Sequence, residues 1–487
     1  MVASCRLCCA SCSQPDRPAN SPKPHASHAA FLLPIFVFDY PYLLCVFIVR
    51  FYSPYLPVIT SHFHYNRHPY NALTVSMRRP LKNSPRKLSA DGQRLTMLAQ
   101  AIIQASSRVE ERQWEKQMET LLHKLLRTRH QETIDAALDH LFKQTPLAYD
   151  ALTEAAEAAS ESCMIEKDGV QHDALLIAVP ILAWTRFAIA SGSIPAEMVT
   201  TLSAHLHAHI LSANAQLAMA PMLFSIDQLP RTHSDIFVLT QQMAQAALNH
   251  TLIKTTAQPA ETAPFLADTR YLLAAVTVKS GEPMFCWQVT ADLADRDAAL
   301  ANWNTQAMPN IARLLPGCGI ELLLPEAYFV ACREGDKQIR PASIRAAVHY
   351  LTHTLDVEPA ALQAIVGGFA EESNEDGRVD EYRIGFAPVT QSEVLYGVIW
   401  PLYGDEEGDE SPYRSEAMEE GEAPRKSPIE EIHALLEECG IIRIKRHTEQ
   451  FAMEFCDDCG APLFPDPEAE LVHAEMPEAA TTTEHLH

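Results

Sequence analysis

The sequence predicts an α+β fold: N-terminal helical hairpins, then tandem ferredoxin-like repeats of an αββ type with antiparallel sheets. Three observations predict it. Apolar residues recur three and four apart between Ser89 and Ser162. The segment Arg270–Trp287 aligns without gaps on Arg383–Trp400, at an offset of 113 residues. A helical stretch precedes the β-rich runs of both copies.

The helical region carries its own punctuation. Leu95, Leu98 and Ile102 form one apolar stripe, Leu121, Leu122 and Leu125 a second, and Ile134, Leu138 and Leu141 a third. Ser107 and Glu110 have the spacing of a capping box, which pairs a side-chain acceptor with the third backbone N–H of a new helix. Thr145-Pro146 suits an N-cap followed by the first helical position. Ala151–Ala159 is rich in the strong helix formers Ala and Glu.

The repeat governs the rest. Arg270 meets Arg383, Ala274 meets Ala387, Val276-Thr277 meets Val389-Thr390 and Trp287 meets Trp400; each copy reads as a hairpin. Downstream, Cys318-Gly319-Ile320 matches Cys439-Gly440-Ile441. Each follows a helix (Ala298–Leu315, Pro428–Glu438) and opens two further strands, IELLLPEAYFVAC and IIRIKRHTEQFAMEFC. Helices at Ser234–His250 and Ala342–Leu355 precede the hairpins. With helices on one face, the order is that of duplicated ferredoxin-like units. A degenerate third copy is expected over 166–233. The organisation expected is an extension at 1–76, a helical region at 77–165, α+β repeats at 234–340 and 341–460, and an acidic tail at 461–487. The second repeat holds an acidic insert at 403–427.

Charge and cysteines narrow the function. Of 487 residues with net charge −24, the stretch from Glu371 onward holds 30 acidic and 8 basic residues, so the body before it is nearly neutral. This balance argues against nucleic acid as partner. The 12 cysteines form no disulfide framework, which points to a reducing, cytoplasmic setting. The apolar segment 31–51 is about as long as a membrane span but holds Pro34, Asp39 and Pro41. The expectation is that translation starts at Met77, the alternatives being a single-pass anchor through 31–51 or a disordered arm.

Few motifs carry chemistry. Cys456-Asp-Asp-Cys459-Gly460 has the spacing of a zinc turn, with His473, Cys439 or His447 as completing ligands. If a metal binds, the set expected is Cys456, Cys459 and His473, with zinc as the one candidate cofactor; a pair of structural cysteines without metal is the preferred reading, and a redox dithiol a third, disfavoured because no thioredoxin-like βαβ unit precedes it. His205, His207 and His209 read as a polar helix face. Glu372–Arg383 approaches a calcium loop, but Arg383 stands where a bidentate Glu is needed. Val366-Gly367-Gly368-Phe369 reads as a turn. Arg270 and Arg383, being equivalent, read either as paired anion contacts or, in preference, as partners of a neighbouring carboxylate.

The segments MRRPLKNSPRKLS, SRVEERQWEKQ (107–117), DQLPR (227–231), CGIELLLPEAYF (318–329), CDDCGAPLFPD (456–466) and HAEMPE (473–478) resemble a bacterial family catalogued as domain of unknown function 2863. They spread over most of residues 77–478 and none lies in 1–76. That family has no established activity, so the resemblance implies no catalytic residues. The expected function is a non-catalytic ligand-sensing or protein-interaction module, its partner a protein or small ligand. The alternative is an enzyme or domain with zinc at the C-terminal Cys-x-x-Cys.

Overall fold

The computed structural model describes residues 88–475, apart from 143, 254–265, 291, 293, 371–378, 404–405, 407–425 and 457–460. The expected extension with its apolar segment 31–51, most of the acidic insert, Cys459 and residues 476–487 lie outside the described residues. Among the described residues, no helix is long and apolar enough to cross a membrane.

Four helices open the described chain: α1 Ala90–Ile103, α2 Arg108–Arg127, α3 Gln131–Phe142 and α4 Pro146–Glu161. Ser89 and Ser107 cap α1 and α2 through their hydroxyls, which accept from Gly92 N and Glu110 N. The Glu110 carboxylate accepts from Ser106 rather than closing the box on Ser107. The apolar stripes expected from the sequence meet in one core, with Leu95, Leu98, Leu122, Leu125, Ile134 and Leu141 buried.

The first sheet is antiparallel. Its spine is β2 (Val170–Trp184) paired with β6 (Ala267–Lys279) from His172↔Lys279 to Trp184↔Ala267. On the outer side of β2 lie β1 (Ser162–Lys167), β7 (Gly319–Leu322) and β8 (Glu326–Ala327). On the outer side of β6 lie β4 (Gln216–Met219) and β5 (Met222–Ser225), with β3 (Gly192–Ser193) beyond. Pro180 sits inside β2, where a proline removes a ladder donor. It falls in the gap between β8 and β7, where its carbonyl accepts from Leu323 N at 3.1 Å.

Both spine strands are apolar on both faces, and both faces are covered by helices. Alternate residues (Ile177, Val179, Leu272, Ala274) pack on α5 (Ala196–His209) and α8 (Ala294–Leu314). The intervening set (Leu176, Ala178, Tyr271, Leu273) packs on α6 (His233–Asn249) and the start of α9 (Tyr328–Leu355). Thus residues from 166–233 and 234–340 build one sheet, and the boundary expected at 233/234 falls within it.

The helix α9 joins the two sheets. Its first half buries Tyr328, Ala331 and Cys332 on the first sheet, and its second half buries Ile344, Ala347, Val348 and Leu351 on the second. Pro341 leaves the Lys337 carbonyl without its helical donor; Arg340 Nε donates to it at 3.1 Å.

The second sheet runs β11 (Tyr396–Pro401), β10 (Glu381–Pro388), β9 (Leu362–Ala370), β12 (Arg443–Ala452). The first three form an antiparallel meander. β12 lies parallel to β9, a pairing that requires a crossover, here α10 (Pro428–Glu438). Among the described residues, helices cover one face only. The other face carries a hairpin of β13 (Leu463–Pro465) and β14 (Leu471–His473).

The α+β class and the helical N-terminal region match expectation; two equal units do not emerge. β7 is antiparallel to β2 whereas β12 is parallel to β9, and the first sheet has helices on both faces. Three local expectations are corrected. Trp287 stands on the short helix α7 (Cys286–Thr290), not on a strand paired with β6, because β2 and β4 already fill the two edges there. Tyr328–Cys332 opens α9 instead of forming a second strand, since its buried residues recur at helical spacing. Gly367-Gly368 lies inside β9, not in a turn: a Cβ at Gly367 would stand 2.8 Å from the Phe451 ring.

Candidate functional site

Two regions concentrate features beyond simple core packing. The first is the hairpin face of the second sheet. Gly367, Gly385 and Gly397 open a shallow strip there. A Cβ on Gly397 would sit 2.2 Å from the Phe464 ring, and one on Gly385 2.8 Å from the Pro465 carbonyl oxygen, so the hairpin docks directly against bare backbone. Asp466 closes its turn, accepting from Glu468 N (2.9 Å) and Glu470 N (2.8 Å).

Beneath the hairpin lies Arg383, fully buried. Its Nε donates to Glu381 Oε1 at 2.6 Å. Its Nη1 donates to the carbonyls of Glu454 and Leu463, both at 2.8 Å. The guanidinium lies over the rings of Phe369 (4.3 Å) and Phe455 (5.1 Å). Glu454 and Leu463 lie on either side of the Cys-x-x-Cys in sequence, so one arginine ties its two flanks together. Cys456 N donates to the Ala461 carbonyl at 2.7 Å. Burial raises the pKa of Glu381, and Arg383 opposes that rise.

The equivalent Arg270 repeats the arrangement, pairing with Asp268 two residues earlier. It also donates to the Ala190 carbonyl at 2.8 Å and the Ile189 carbonyl at 2.7 Å. Residues two apart on a strand share a face; an acid-x-Arg pattern therefore stands in both sheets, and the preferred reading of these arginines as partners of a neighbouring carboxylate agrees with it.

The expected zinc ligands separate in part. Cys456 is half-buried and Cys459 is outside the described residues. His473 pairs with Leu463, which is bonded to Glu454, so His473 lies two strands from the Cys456 segment, roughly 10 Å across the ladder. Its Nδ1 is 3.4 Å from Glu475 Oε1. His447 Nε2 donates to the Asp466 carbonyl at 2.8 Å. Cys439 packs on the helix-covered side of the sheet, opposite the hairpin, and cannot complete the set. Among the described residues, no three His, Cys, Asp or Glu side chains group as a metal site. On α5, the rings of His205 and His209 stack 6.5 Å apart, and Asn310 lies 3.2 Å from His205 Nε2.

The second region is the helical bundle. Lys124 donates to Asp91 at 2.9 Å, and Gly92 lies against Thr133. These contacts bring the start of α1, the end of α2 and the start of α3 to one end. That end is fastened to the body. Gln131 Oε1 accepts from Ser234 N (2.9 Å), and Thr240 Oγ1 donates to the Ser160 carbonyl (3.0 Å). Arg333 Nη1 donates to both oxygens of Glu157, at 2.7 and 2.8 Å. Glu161 Oε2 accepts from Phe329 N at 3.0 Å, capping α9 from outside its own chain segment. Burial pushes the Glu161 carboxyl up to about 7 and pulls the His233 imidazole down to about 4.

The opposite end, formed by the α1–α2 and α3–α4 connections, carries Val109 (79% exposed), Leu147 (69%), Phe142 (48%) and Ile103 (37%). The sequence did not flag these, because each continues an amphipathic helical pattern. Along one side, α1 and α2 enclose an open groove of about 500 Å³ lined by Arg94, Lys116 and Lys124 among others. Arg94 donates across it to Gln117 at 2.9 Å.

A family model described as a protein of unknown function, DUF2863, matches residues 80–487. Comparison with curated proteins and with solved structures finds no match. The family match takes in the bundle, both sheets and the C-terminal hairpin, and on that extent the chain belongs to the DUF2863 family.

Proposed function

We propose that the chain is a non-catalytic protein-interaction module whose helical bundle presents its free end to a partner. The observation that carries this reading is the placement of Ile103, Val109, Phe142 and Leu147. Four large apolar side chains are exposed at the end of the bundle that is not fastened to the body, and exposed apolar clusters mark docking surfaces. The groove between α1 and α2 supports a small-ligand reading less well, because it is open and is crossed by its own polar contacts. The free state of the six described cysteines supports a reducing compartment.

The test is a Val109→Glu/Leu147→Glu double variant in affinity purification from the source cells. Both positions are exposed, so stability should change by no more than about 0.5 kcal/mol per site. Proteins enriched by the natural chain should fall at least about tenfold in the variant. Equal enrichment by both chains overturns the reading.

A second reading concerns zinc. What favours it is that Arg383 holds the carbonyls of Glu454 and Leu463, on either side of the Cys-x-x-Cys, close to one another. Cys456 and Cys459 supply two ligands in this reading, and Glu454, two residues before Cys456, a third. Purified protein should then contain about one zinc per chain, reduced to background by Cys456→Ser; metal-free protein ends this reading. The duplicated origin of the two α+β units rests on the shared Asp268/Arg270 and Glu381/Arg383 pairs.

A further inference from the structure

The strand β12 is the outer strand of the second sheet. One side bonds to β9, with Arg443 to Arg446 in regular register against Gln363 to Val366. No strand pairs with its other side among the described residues. Ile442 is 77% exposed, and Arg443, Lys445 and Arg446 are exposed as well. These three are among only 8 basic residues from Glu371 onward, a stretch with 30 acidic ones. Positive charge is thus concentrated along a row of strand backbone in the most acidic part of the chain. Arg443 and Lys445 share a face, and no carboxylate among the described residues pairs with either; Lys445 Nζ donates to the Pro467 carbonyl, which leaves two of its three ammonium protons for a ligand.

We propose that the Ile442–Arg446 edge of β12 takes an extended acidic segment of a partner protein as an added strand. Backbone N–H and C=O groups of the edge supply affinity, as in other cases of strand addition. Arg443 and Lys445 select a segment with acidic residues at alternate positions, whose side chains fall on their face. A second copy of the same edge is disfavoured by like charge. The bulge after Arg446, before pairing resumes at Gln450, limits the added strand to a short segment. The proposal rests on the protein-interaction reading but uses a different surface from the free end of the bundle.

The experiment is fluorescence anisotropy with a labelled peptide of about eight alternating Glu and Val residues. Saturable binding is expected, weakening about tenfold or more between about 50 and 300 mM salt. Arg443→Glu/Lys445→Glu should abolish it, with a melting temperature lowered by no more than about 4 °C for the lost Lys445–Pro467 bond. The same peptide N-methylated at alternate residues, which removes one edge of backbone donors, should bind at least about tenfold less tightly. Val109→Glu/Leu147→Glu should bind the peptide as the natural chain does, so failure here and failure at the bundle end are separable. Lysines and bulges also protect sheet edges from pairing, and that role predicts no saturable binding at any salt. No saturable binding, equal binding of the N-methylated peptide, or equal binding by Arg443→Glu/Lys445→Glu each overturns the proposal.

Discussion

Arg383→Met should cost about 3–5 kcal/mol of stability, the range for breaking a buried ion pair by removing one partner. The substitution strands the Glu381 carboxylate, only 6% exposed, and removes the donor from the carbonyls of Glu454 and Leu463. It also removes the cation stacked on Phe369 and Phe455, leaving two rings facing a narrower methionine. The loss should be uneven. Limited proteolysis should release the segment after β12 before the rest of the chain unfolds, because the hairpin loses its central fastening. Arg383→Lys should fall between, since an ammonium on a flexible stem cannot reproduce the fixed fork of a guanidinium.

A double-mutant cycle separates the cost of a stranded charge from the worth of the pair. Glu381→Leu/Arg383→Met should recover much of the loss, as apolar replacements of buried pairs commonly do, but the two carbonyls remain without their donor. Chemical denaturation of the four proteins measures each term. A loss below about 1 kcal/mol in Arg383→Met overturns the assignment of Arg383 as the clamp of the C-terminal turn.

The legibility of these features in the sequence follows the distance over which each is determined. The helices α1 to α4 are local: stripes such as Leu121, Leu122 and Leu125 and the cap at Ser107 lie within a few residues of what they specify. The acid-x-Arg pairs are also local, because Asp268 and Glu381 stand two residues before their arginines. The carbonyls that complete the Arg383 site lie 71 and 80 residues away in sequence, and no spacing rule reaches them. The same limit explains Tyr328–Cys332. This apolar run suits a strand by composition. It becomes helix because Tyr328, Ala331 and Cys332 fit one face against β2 and β6, strands that begin far upstream. Gly367 and Gly368 looked like a turn because a glycine pair commonly is one; here Gly367 makes room for Phe451, a requirement set by β12. The buried arginine that holds the residues flanking the Cys-x-x-Cys was not legible, for the same reason.

The fastening of the bundle should show itself in the pH dependence of stability. Glu161 is pushed up from about 4.5 to about 7, first by burial and then by neighbouring Glu157; the Phe329 N–H and Arg333 pull the other way without compensating. A carboxyl with a raised folded-state pKa binds more protons in the folded chain than in the unfolded one between those two values. The contribution of Glu161 to stability is therefore fully present below about pH 4.5, falls as the pH rises toward about 7, and is flat above; His233, pulled down to about 4, contributes with the opposite sign between about pH 4 and 6.5. At about 1.4 kcal/mol for each tenfold change in proton affinity, the total fall is about 3 kcal/mol. Glu157, also raised by burial but held by Arg333, adds to the same slope. Glu161→Gln keeps an oxygen that accepts from Phe329 N and has no proton to lose. Its stability should match that of the natural chain near pH 4.5 and exceed it by up to about 3 kcal/mol near pH 8, the difference opening between those values. Urea denaturation at several pH values measures the difference. Parallel profiles for the two proteins would mean that Glu161 titrates as a solvated carboxylate, and that the joint between α4 and α9 is open to water in solution.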